Sequence, residues 1–241
     1  MLQSGRKAAG DHRITIDNAR ASHFSKQKHT LIEVPNFLSD PSDVIAHAKL
    51  QNFARITPQY PGRRASLDPT ICDAWREALS PLLSREFNAP SGLWSMQGWY
   101  SIVDRKPQEL LPIQCLPHVD GTDPNQIAMM LYLHRTAHGG TAFFRHKSTG
   151  LEALTDDTFP QYRQSLEQEV RGAGLPPKAY VTDGEPYFQR TFATEGRYNQ
   201  AVFYRGNILH GGVIDNQTPL PATADEGRLT INAFLRPPSA E

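Results

Sequence analysis

Pro117-His118-Val119-Asp120-Gly121 decides how the rest of the chain reads. On an extended strand, residues two apart point to one face. His118 and Asp120 therefore turn an imidazole and a carboxylate toward the same point, with Val119 facing away. The triplet by itself also fits a hydrogen-bonded surface pair, so a further ligand has to come from elsewhere. Arg205-Gly206-Asn207-Ile208-Leu209-His210-Gly211-Gly212 offers one, 92 residues beyond His118. His210 ends an apolar run beside glycines that let backbones approach closely, although a lone histidine there also suits a structural role.

A third stretch, Gly227-Arg228-Leu229-Thr230-Ile231-Asn232-Ala233-Phe234-Leu235, reads as a strand. Arg228 and Thr230 share one face, and Leu229, Ile231 and Ala233 the other. Buried unpaired, an arginine on such a strand costs several kcal/mol, so an anion is expected to meet it. An internal salt bridge to Asp215 or Glu226 meets that need, as does exposure at the strand start. A dicarboxylate ligand meets it too, forking one carboxylate onto Arg228 and accepting a bond from Thr230. Two histidines and a carboxylate on one side, with the other side open, suit non-haem Fe(II).

In this order, His118-x-Asp120, then His210, then Arg228-x-Thr230, the chain resembles the Fe(II)/2-oxoglutarate dioxygenase superfamily, in its prolyl-hydroxylase-like branch. Met129-Met-Leu-Tyr132-Leu-His134 followed by Gly139-Gly-Thr-Ala-Phe143 is similar to the strand-turn-strand after the first metal pair of that branch. Ala201-Val-Phe-Tyr204 looks like the strand leading to the distal histidine. The resemblance spans roughly 98–237. It implies a double-stranded β-helix, with His118, Asp120 and His210 holding Fe(II) in the barrel mouth. It further implies 2-oxoglutarate as co-substrate, its distal carboxylate on Arg228 and Thr230 with Tyr132 beside them, and hydroxylation as the default outcome. Tyr132 equally suits simple sheet packing. The interval from His118 to His210 is longer than usual in the family, the excess falling in 144–198.

Other sites are weaker. Cys115-x-x-His118 puts its ends on opposite faces of a strand, and structural zinc needs four ligands. His134, His138 and His146 read as exposed loop histidines. Arg64, Arg145 and Arg205 are candidates for guiding a polar or acidic substrate, each also plausible as a surface cation. In the aromatic run Trp94, Met96, Trp99, Tyr100, alternate members are expected to face the mouth.

Composition sets the outer bounds. Lys plus Arg and Asp plus Glu are equal at 25 each, which gives no global electrostatic case for nucleic acid or an anionic membrane. Apolar residues make up 39%, as in ordinary globular proteins. Two cysteines fit a reducing compartment, and neither a leader peptide nor a span is visible, so a cytoplasmic location is expected. The partner expected is a small-molecule or peptide substrate.

The chain is expected to be one α+β domain over 1–241: a helical N-terminal support over 1–93, then a jelly-roll core over 94–237 carrying a helical insertion at about 145–198. Residues 1–13 read as loose, and 13–18 and 30–34 as flanking strands. Asp40, Pro41 and Asp43 are cap, first-turn and dipole signals for a helix; a loop rich in Pro, Gly and Arg is expected over 57–69, then a second helix over 69–87. Five β-rich runs follow, at 94–103, 126–133, 140–145, 201–204 and 229–235, and a surface helix is expected over 156–171. Alternatives to an oxygenase are a non-catalytic jelly-roll binding or regulatory protein, and a Zn or Mn hydrolase.

Overall fold

The structure is a computed structural model and describes residues 12–135 and 138–239. The expectation for 1–13 lies almost wholly outside them. The elements run β1 (Arg20–Phe24), β2 (His29–Val34), α1 (Pro41–Lys49), β3 (Gly62–Ser66), α2 (Pro69–Glu86), β4 (Ser95–Val103), β5 (Ile127–Tyr132), β6 (Thr141–His146), α3 (Phe159–Ala173), β7 (Phe188–Ala193), β8 (Gln200–Arg205), β9 (His210–Gly212) and β10 (Arg228–Arg236).

Two antiparallel sheets face each other. The larger has the order β1-β2-β8-β5-β10-β4-β3, the smaller β7-β6-β9, and a bridge from His118 to His210 adds a fourth segment to the smaller. From β4 the chain crosses to the His118 segment, back to β5, across to β6 and β7, back to β8, across to β9 and back to β10. That winding, four segments per layer, is a double-stranded β-helix, and the fold class is α+β.

Period-two alternation assigns the faces. On β10, Leu229, Ile231, Ala233 and Leu235 are buried against α1 and α2 on the outer side of the large sheet. Arg228, Thr230, Asn232 and Phe234 turn inward. The first helix starts as expected, Asp40 accepting from Ser42 N at 2.8 Å, and in the second Asp68 caps by accepting from Thr70 N at 2.8 Å. On the far side, Tyr162 of α3 packs with Phe144, Phe188 and Leu209, covering the outside of the small sheet. Between the sheets Phe24, Tyr132, Phe143 and Tyr204 form a second apolar cluster.

Three expectations need correcting. The run 13–18 is not a strand; only Ile14 bridges, to Leu38, while the flanking strand is β1 and pairs with β2. The Pro-, Gly- and Arg-rich stretch after Thr57 holds a strand, β3, which joins β4 at the sheet edge. Finally, β7 lies inside the span read as an insertion yet pairs with β6. The extra segment is therefore 147–187, shorter than expected. No helix among the described residues is long and apolar enough to cross a membrane.

Candidate metal centre and its cavity

The His118 segment and β9 are tied by two hydrogen bonds, His118 N to His210 O at 2.9 Å and His210 N to His118 O at 2.8 Å. Asp120 N donates to Gly206 O at 2.8 Å. These bonds bring the three side chains predicted from sequence together. One ligand atom from each of His118, Asp120 and His210 lies within 4.8 Å of the others. His210 Nε2 is 3.3 Å from Asp120 Oδ2, and His118 Nε2 is 3.9 Å from Asp120 Oδ1. A Cβ on Gly206 would come within 3.3 Å of Asp120 Cβ, so glycine permits this approach.

The environment sorts the three by exposure. Side-chain exposure is 6% for His210, 17% for Asp120 and 52% for His118, so the site opens on the His118 side. His210 Nδ1 faces Ile208 O at 2.8 Å, which makes Nδ1 the protonated nitrogen and leaves Nε2 a lone pair aimed at the site. Burial opposes charge on His210, but Asp120 outweighs it through its charge and a hydrogen bond, and raises the pKa. Burial likewise opposes charge on Asp120, while His210 and His118 hold its carboxyl below the usual value.

A cavity of ≈ 290 Å³ runs from these residues to Arg228. Arg228 is only 2% exposed. Its Nη2 donates to Gly139 O and Gly140 O, both at 3.1 Å, and its buried Nε has no hydrogen-bond partner. Neither Asp215 nor Glu226 pairs with it: Asp215 is taken by Thr218 and Gln217 N, and no carboxylate bridges Arg228 among the described residues. Burial weakens its hold on its proton, and the hydroxyls of Tyr132, Tyr60, Tyr180 and Tyr204 work in the opposite direction.

Thr230 and Tyr132 do not line the cavity. The Thr230 hydroxyl donates to Asn232 Oδ1 at 2.8 Å, and the Tyr132 hydroxyl lies 2.8 Å from Thr141 Oγ1 and 3.3 Å from Thr194 Oγ1. The lining instead includes Thr141, Asn232, Tyr60 and Tyr180. Asn232 was reachable by continuing the alternation past Thr230. Tyr60 and Tyr180 sit in irregular segments with no periodic signal.

Of the three guiding arginines, only Arg64 reaches the cavity. Arg145 pairs with the buried Glu152, and Arg205 donates to Pro124 O and Phe87 O. The expected exposure of His134, His138 and His146 is wrong, since all three are buried. His146 is held between Thr149 and Glu169, both at 2.9 Å, and His138 takes a bond from Asp215 N. Burial, with the charge of Arg228, pushes His134 down to about 3. Cys115 is buried and bonds Leu111 O, away from the triad.

A model of a family of unknown function, DUF6445, matches residues 17–235. No curated protein matches the sequence. Among solved structures, the chain is similar to HygX from Streptomyces hygroscopicus with nickel, 2-oxoglutarate and hygromycin B bound, at 13% identity over 87% of this chain and 83% of that one, TM-score 0.49. It is similar to the non-haem α-ketoglutarate-dependent epimerase SnoN from nogalamycin biosynthesis, at 13% identity over 88% and 79%, TM-score 0.48. A third is the viral collagen prolyl hydroxylase of Paramecium Bursaria Chlorella virus-1, at 12% identity over 86% and 96%, TM-score 0.43.

Proposed function

The chain belongs to the family of unknown function DUF6445; since that membership names no reaction, we propose from the site itself that it is a non-haem Fe(II) oxygenase with 2-oxoglutarate as co-substrate. The observation that carries this is one cavity with a His-Asp-His trio at its mouth and, buried in its wall, an arginine that no carboxylate among the described residues neutralises.

The donor set fits a first-row divalent metal: two imidazoles and one carboxylate, with His210 Nε2 freed by the bond from Nδ1 to Ile208 O. His118, Asp120 and His210 are the residues that would hold it. With Fe(II) bound, such a site supplies oxygen activation coupled to decarboxylation of the 2-oxo acid, and with it oxidation of a C–H bond.

The protein's own contribution is binding and orientation. Arg228 receives the distal carboxylate of the diacid, and the carbonyls of Gly139 and Gly140 fix the plane of its guanidinium. The Thr230 hydroxyl, turned to Asn232, orients that amide at the cavity wall. Tyr132 holds Thr141, whose side chain also lines the wall. Val181 and Tyr180 bring the 147–187 segment over the same space and keep bulk water off it. A hydroxylated small molecule or peptidyl residue is the product this arrangement favours.

The test is optical. Under anaerobic conditions, Fe(II) plus 2-oxoglutarate should give a visible charge-transfer band that His210→Ala abolishes. A wild-type protein that shows no band and consumes no 2-oxoglutarate would falsify the assignment.

A further inference from the structure

Arg64 is the second cation in this cavity, and nothing in the proposed binding of metal and co-substrate uses it. It lies on β3, in register with Ser101 of β4, which in turn faces Thr230 of β10. Its guanidinium stands 4.1 Å from the centre of the Tyr60 ring and 5.7 Å from that of Trp99. Stacking of this kind fixes the plane of the fork without consuming its donors. Its Nε is buried and has no hydrogen-bond partner, and no carboxylate bridges it among the described residues. The neighbouring Arg63 and Arg55 differ, since both pair with Asp104. The Arg64 charge is close enough to act on both His118 and Asp120.

The charge balance of the lining extends this. Its permanently charged side chains are Arg64, Arg228 and Asp120, a net single positive charge. A divalent metal adds two positive charges and a 2-oxoglutarate dianion removes two. The loaded cavity then keeps one positive charge, with the partly buried Arg64 as the cation left unmatched. An anion that meets it gains a charge-assisted, forked hydrogen bond. Beside Arg64 the inner face is apolar and only partly covered: Trp99 meets Phe234 edge-on at 5.8 Å, and Met130 lies on the same face.

We propose that the primary substrate is a monoanionic carboxylic acid with an apolar body, its carboxylate received by Arg64 and its body lying on Trp99, Met130 and Phe234. This rests on the oxygenase reading for the charge of the loaded cavity, but not for the unmatched donor or the apolar face. Arg64 is thus a specificity-determining residue. An amide or alcohol of the same shape leaves the guanidinium charge unmatched and binds more weakly for that reason.

The probes are straight-chain acids from hexanoate to dodecanoate, phenylalkanoates and N-acetyl derivatives of apolar amino acids, each beside its primary amide. They are titrated by calorimetry into protein loaded with Zn(II) and 2-oxoglutarate, which cannot turn over, and into metal-free protein. The expected result is at least one acid that binds about tenfold or more tighter than its amide, the scale of a charge-assisted bond. Arg64→Gln should erase that preference while leaving 2-oxoglutarate affinity unchanged. Arg64→Lys, which keeps the charge on the strand, should retain part of it.

Acid and amide binding alike, no acid in the panel binding, or Arg64→Gln weakening 2-oxoglutarate instead of the acid each overturns the proposal. Failure of wild type to take up Fe(II) and 2-oxoglutarate overturns only the oxygenase assignment. In that event the metal-free titration decides Arg64 by the same acid-against-amide comparison.

Discussion

Arg228 makes the clearest demand on a ligand. A guanidinium at 2% exposure whose hydrogen bonds go to two carbonyls is held in place without being neutralised. Replacing it with glutamine removes a charge-assisted contact worth about 1.5–3 kcal/mol, so 2-oxoglutarate affinity should fall about 10- to 100-fold. Calorimetric titration of the co-substrate into Zn(II)-loaded protein reads this directly, and an unchanged affinity removes Arg228 from that role. His210 makes a second demand, on pH. Asp120 raises its pKa, so in the metal-free protein the charged form persists above the usual imidazole range. That charge stabilises the metal-free fold below the unfolded value, and the gain is lost as pH rises through the folded one. Metal must displace this proton. Mn(II) affinity should hold steady at high pH and fall about tenfold per unit once pH drops through the raised value. Affinity independent of pH across that window contradicts the placement of His210 Nε2 among the ligands.

At the scale of elements, β10 separates stability from function by face. Ile231 is fully buried among the residues that meet α1 and α2, whereas Arg228 and Asn232 face the cavity. Ile231→Ala should cost about 2–5 kcal/mol in denaturant unfolding while leaving the metal–co-substrate band intact; losing both together would mean the faces are not independent. The turn before β6 behaves oppositely. A Cβ on Gly140 would sit 2.2 Å from Thr194 Oγ1 and 2.7 Å from Gly196 N, so Gly140→Ala must shift the carbonyl that holds Arg228. It should weaken 2-oxoglutarate binding more than metal binding. This separation of faces is also why β10 was legible: alternation, and an arginine where a core strand does not tolerate one, can both be read from a string of letters. The cap of α1 was legible for the same local reason. Edge strands were not. Most of β1 is exposed, and it is a strand only because β2 supplies its partners, while β3 hides in a stretch whose composition spells a loop. Tyr60, Tyr180 and the buried histidines depend on tertiary contacts that no spacing encodes.

At the scale of the whole molecule, the trio and Arg228 come from segments that approach each other only when both sheets have closed, since His118 and His210 belong to the small sheet and Arg228 to the large. Ligands that join them therefore bind the folded state and not the unfolded chain, and they stabilise it by mass action. A ligand at a hundred times its Kd adds about 2.7 kcal/mol, and for a chain of 241 residues each kcal/mol moves Tm by about 2–4 °C. Zn(II) at that excess should raise Tm by about 5–10 °C. With the metal present, 2-oxoglutarate should raise it again by a comparable amount; without metal it should do far less, because only its distal end then finds a partner. His210→Ala should remove the metal-dependent rise and, with it, most of the response to 2-oxoglutarate, while Arg228→Gln should keep the first rise and lose the second. That pattern separates a site that couples metal to diacid across two sheets from a surface that binds either one alone. Equal 2-oxoglutarate shifts with and without metal, or a His210→Ala protein that responds like wild type, would mean the two halves of the cavity are not one site.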